Sequence, residues 1–172
     1  MASLMENLID VLRKESSEYE ALLKLSRDKT PIIVSGNLEN LQKITDEEQE
    51  LVSRINHLDK KRMEVTADIA NVLNKDVTAL KLKNLIEMLS GRAEEAKSLT
   101  EVHDRLQSVV RELQRVNEHN SELLQESLEM IAFEMNLVQS MKTAPETANY
   151  NRGAYSAGDT MGVSSRGFDA KQ

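Results

Sequence analysis

The chain has 172 residues, 40% of them hydrophobic and 30% charged, a net charge of −7, five aromatic residues and no cysteine. No disulfide, thiol nucleophile or thiolate metal site is therefore possible, and an acidic chain is a poor ligand for nucleic-acid phosphates, which are bound by Lys and Arg. Two prolines and six glycines favour long helices over sheets; with no apolar run near the length of a membrane span and no leader after Met1, one cytoplasmic domain without stable membrane insertion is expected.

A first helix is predicted over residues 2–28, with Leu4, Leu8, Val11, Leu12, Tyr19, Leu22 and Leu23 facing inward and Arg13, Lys14, Glu18 and Lys24 largely outside. Thr30-Pro31 is expected to end it, because the residue before proline is biased away from the α region; residues 31–36 then read as a short apolar connector. Asn37 suits the cap of a second helix, and Glu39 sits where the positive helix end favours an anion. Along that helix Leu41, Ile44, Leu51, Ile55, Leu58, Val65, Ile69 and Val72, with Glu48 and Arg62 filling the gaps, step by threes and fours. Such a heptad seam needs a partner helix to bury it.

The second helix is predicted to run to about residue 73, where Asn74-Lys75-Asp76 combines a break with cap chemistry. A shorter helix carries Leu80, Leu82, Leu85, Ile86 and Leu89 and is capped or kinked at Ser90-Gly91. The last helix, residues 93–141, has two offset apolar series: Leu99, Val102, Leu106, Val109, Leu113 and Val116, then Leu124, Leu128, Ile131, Met135 and Val138. A helix this broadly apolar can touch two neighbours, or one neighbour and a client, and at ~1.5 Å per residue it is on the order of 70 Å long. The expected fold is all-α: an elongated antiparallel helical bundle over residues 1–142. Residues 143–172 hold four of the six glycines, no Leu or Ile, and charges that cancel. They are expected to form a flexible tail whose Tyr150, Tyr155 and Phe168 either are incidental or serve a linear docking motif.

No chemistry of catalysis is legible. His57, His103 and His119 have no metal-ligand spacing, no glycine-rich phosphate loop is present, and no cofactor is implied. Carboxylate neighbours such as Glu15/Glu18, Glu47-Glu48 and Glu94-Glu95 read as a solvated, salt-paired surface. Asn117 and Asn120 fall between the two apolar series, where a buried asparagine fixes register or recognises a client. Met130, Met135 and Met141 read either as ordinary core or as an adaptable partner surface.

Several stretches together resemble the FlgN family of flagellar export chaperones: Glu18-Tyr-Glu-Ala-Leu-Leu-Lys-Leu25, Gly36-Asn37-Leu38-Glu39, Asn117-x-x-Asn120-x-x-Leu123-Leu124 with Ser127-Leu128, and Tyr150-Asn-Arg-Gly153. Asn37 stands where the family often has Asp, which keeps the cap and removes a charge. The resemblance implies a cytoplasmic, non-enzymatic chaperone that holds the terminal helices of hook-filament junction (hook-associated) proteins and delivers them to the flagellar type III export gate. It further implies client binding by Leu124, Leu128, Ile131, Met135 and Val138, and gate docking by Tyr150. Read from the residues alone, a homo-oligomeric coiled-coil spacer accounts for the same seam.

Overall fold

A computed structural model describes residues 2–143. The expected tail, Tyr150 included, lies outside them. Among the described residues the structure is helical throughout apart from short turns: α1 (Ala2–Ser35), α2 (Leu38–Leu73), a short α3 (Leu82–Met88) between 3-10 turns at Val77–Ala79 and Leu89–Gly91, and α4 (Ala93–Thr143). Two units divide at the Ser127–Leu128 bond, inside the span of α4.

In the first unit α1 and α2 make the closest backbone approach. They are antiparallel, as the ion pairs Lys29–Glu48, Glu18–Arg54 and Glu15–Arg62 show by their opposite order in the two helices. By contrast α4 runs parallel to α1, with Glu20 meeting Arg105 and Arg27 meeting Glu112. The core is layered. Met5, Leu8 and Leu12 of α1 pack with Val65 and Ile69 of α2, Leu85 of α3, and Leu99 and Val102 of α4. A second cluster joins Leu22 and Leu23 to Leu51, Ile55, Leu113 and Val116. Both polar positions of the α2 seam, Arg62 and Glu48, pair across to α1.

The turn chemistry is local. Gly36 takes a positive φ of 68° after α1, a conformation that costs glycine little. Asn37 then caps α2 by accepting the Asn40 N–H at 3.0 Å. Asn74 closes α2 in the left-handed region at φ 51°, its N–H returning to the Ala70 and Asn71 carbonyls, and the Asp76 carboxylate accepts the Thr78 N–H at 3.1 Å.

Four sequence-based expectations change. First, α1 does not end at Pro31 but carries it inside the helix to Ser35. An interior proline costs about 3 kcal/mol or more. The extra turn recovers part of that by burying Ile33, worth about 1.5–3 kcal/mol. Second, Val72 is exposed, and Leu73 packs against the core in its place. Third, Glu15 is buried rather than solvated. Burial pushes its carboxyl above the ordinary value and the facing Arg62 pulls it back only in part. Fourth, of the two asparagines only Asn120 is buried, while Asn117 is exposed.

Candidate client-binding surface

The upper end of the first unit is held by polar contacts rather than a third apolar cluster. Asn120, 4% exposed, donates from Nδ2 to the Ser26 carbonyl at 2.7 Å and accepts the Thr30 hydroxyl on Oδ1 at 2.6 Å. The Ser26 hydroxyl donates to Glu48 at 3.3 Å, and Lys29 Nζ donates to the same carboxylate at 2.7 Å. One buried asparagine therefore ties α4 to α1 next to the proline, and the pairing with Glu48 extends the network to α2. Beside it lies a cleft of about 300 Å³ between the three helices, lined in part by Leu22, Val52, Ser121 and Leu124. Leu124, the first of the five predicted client-binding residues, is half-buried there.

The other four lie past the unit boundary. Leu128 is 62% exposed, and Ile131, Met135 and Val138 are each at least half exposed. Spacings of three and four put them on one stripe of the helix. Met130, Phe133, Leu137 and Met141 are exposed as well, so the methionines here are surface and not core. Phe133 and Leu137 were not singled out from the sequence. Their spacing with Met130 and Met141, three, four and four, was the available signal, hidden because the stronger series occupies the interleaved positions. A stretch with eight large apolar side chains in water is the pattern of an interaction surface rather than of a monomer's ordinary exterior.

Among the described residues no group of three or more His, Asp or Glu side chains is placed to hold a metal ion, and no helix is long and apolar enough to cross a membrane.

The FlgN protein family matches residues 1–156. The chain belongs to the FlgN family. Its members are chaperones of flagellar assembly. The chain is also similar to the uncharacterized protein YvyG of Bacillus subtilis (strain 168), at 26% identity over 145 residues that cover 84% of this chain and 83% of that one. No solved structure matches it. The match takes in the whole exposed stretch of α4 and extends past it through Tyr150.

Proposed function

We propose that this FlgN-family chain is a cytoplasmic export chaperone that binds the terminal helices of hook-associated junction proteins, keeps them from assembling early, and delivers them to the export gate. The observation that carries the reading is the exposed stripe Leu128, Ile131, Met135 and Val138; Leu124, which lines the cleft of the first unit, is assigned to the client as well. A client whose terminal helices form a coiled coil only after export exposes apolar seams before it, and an apolar stripe on a facing helix covers them.

Magnitudes bound the interaction. Fully covering a large aliphatic side chain yields about 1.5–3 kcal/mol; the four are each 50–62% exposed, so covering the stripe returns roughly 3–7 kcal/mol from this chain and a similar amount from the client's seam. Association costs an estimated 4–15 kcal/mol. One stripe thus supports binding that is reversible, as delivery requires. Tyr150 is assigned to gate docking.

The decisive experiment is the double substitution Leu128→Asp with Ile131→Asp, followed by co-purification with candidate junction proteins. Client binding is expected to fall at least about tenfold, because each new carboxylate must be desolvated against an apolar helix, while far-ultraviolet circular dichroism keeps the helical signal. Undiminished client binding would overturn the assignment. Concentration-dependent self-association that the same double substitution abolishes would favour a homo-oligomeric coiled coil instead.

A further inference from the structure

The exposed stretch of α4 carries two stripes rather than one. At ~100° per residue, the stripe of Met130, Phe133, Leu137 and Met141 is centred about 130° around the helix axis from that of Leu128, Ile131, Met135 and Val138. A helix packs along a strip roughly 100° wide, so a single partner helix covers one stripe and leaves the other in water. Covering both takes two.

Charge distinguishes what suits the second stripe. Between Arg115 and Lys142 the sequence holds five glutamates and neither Lys nor Arg. Glu129 and Glu134, both exposed, border the second stripe on its two sides at the same ~100° per residue. The first stripe has Glu134 on one side and Ala132 and Gln139 on the other. A second copy of this chain laid on the second stripe would bring its own glutamates against these, and like charges across an interface disfavour the pairing.

The geometry points to a second docking face: Met130, Phe133, Leu137 and Met141 take an amphipathic helix of another protein whose apolar seam is flanked by Lys and Arg. This face is independent of the client-binding role given to the first stripe, and each can fail without the other.

The test titrates the full chain with two synthetic helical peptides of about three heptads, identical in their leucine seam and carrying Lys or Glu at every flanking position. The Lys-flanked peptide is expected to bind at least about tenfold tighter than the Glu-flanked one and to lose affinity as salt is raised. Phe133→Asp with Leu137→Asp is expected to weaken the Lys-flanked peptide by about tenfold or more, whereas Leu128→Asp with Ile131→Asp shifts it by less than about threefold. Glu129→Lys, which alters no apolar residue and borders the second stripe but not the first, is expected to cut the preference between peptides to less than about threefold. That variant decides the matter even where the Asp substitutions disturb the helix. An unchanged preference in the rim variant, or equal losses from both pairs of Asp substitutions, overturns the proposal. So does self-association that Phe133→Asp with Leu137→Asp removes, which makes a second copy the occupant. A gain of about tenfold in peptide affinity on deleting residues 144–172 overturns it too, by making this chain's own C-terminal segment the occupant.

Discussion

Asn120 has both ends of its amide engaged on α1, with the Ser26 carbonyl on one side and the Thr30 hydroxyl on the other. Removing the amide deletes both cross-helix hydrogen bonds and leaves the Thr30 hydroxyl its longer 3.4 Å bond back to the Ser26 carbonyl; each lost bond costs about 0.5–1.5 kcal/mol net. Asn120→Ala is therefore expected to lower the melting temperature by several degrees, at ~2–4 °C per kcal/mol for a chain of this size, while Asn117→Ala leaves it nearly unchanged. The sequence marked both asparagines. It left the inward one undecided because the two lie between apolar series, and only the direction of α1 settles which faces inward. Glu112 gives a pH signature. Hydrogen bonds from Arg115 and then Arg27 hold its carboxyl down at about 2, against an ordinary value of 4.5. Because the folded value is depressed, its contribution to stability is complete above about pH 4.5 and is lost as pH falls through about 2. Denaturation of wild type and Glu112→Gln across that range is expected to show a stability difference that is constant above pH 4.5 and shrinks toward pH 2. A difference that grows on acidification would contradict the assignment.

At the scale of elements, cap chemistry was legible wherever it is local. Asn37 caps α2, Asn74 closes it and α4 starts at Ala93, each as the residue types imply. The end of α1 was not legible. Past Leu23 the inward face continues through Ser26, Thr30 and Ile33, so the apolar periodicity lapses although the helix does not, and the proline looked like a stop. The helical state of Ile32–Ser35 is a product of tertiary burial at Ile33 rather than of propensity. Pro31→Ala restores a backbone N–H toward Arg27 and removes the ring from its carbonyl. The variant is expected to melt a few degrees higher, with the gain trimmed by about 0.4–1 kcal/mol because the unfolded chain is freed as well. A lower melting temperature would mean that Pro31 is favourable where it stands. The same lapse of pattern explains the second stripe of α4, where two apolar series overlap and the eye follows the more regular one.

At the scale of the molecule, the all-α class and the α2 seam were readable because a repeat of threes and fours admits few other packings. The direction of packing was not. A heptad seam states that a partner exists, not which helix it is or which way that helix runs, and the parallel pairing of α1 with α4 rests on contacts such as Arg105–Glu20, 85 residues apart. That separation sets a timetable. The antiparallel α1–α2 hairpin closes across a two-residue turn, Gly36-Asn37, and needs nothing made later. The groove that α4 fills stays open until residues 99–116 are made, well after α2 ends at Leu73, which takes on the order of seconds at ~5–20 residues per second. Through that interval Leu8, Leu12 and Leu22 lack their last neighbour, and the nascent hairpin holds an apolar face open for an arriving helix, as the stripe of α4 is proposed to do for its client. The chain is in this sense its own first client, with α4 the helix that arrives.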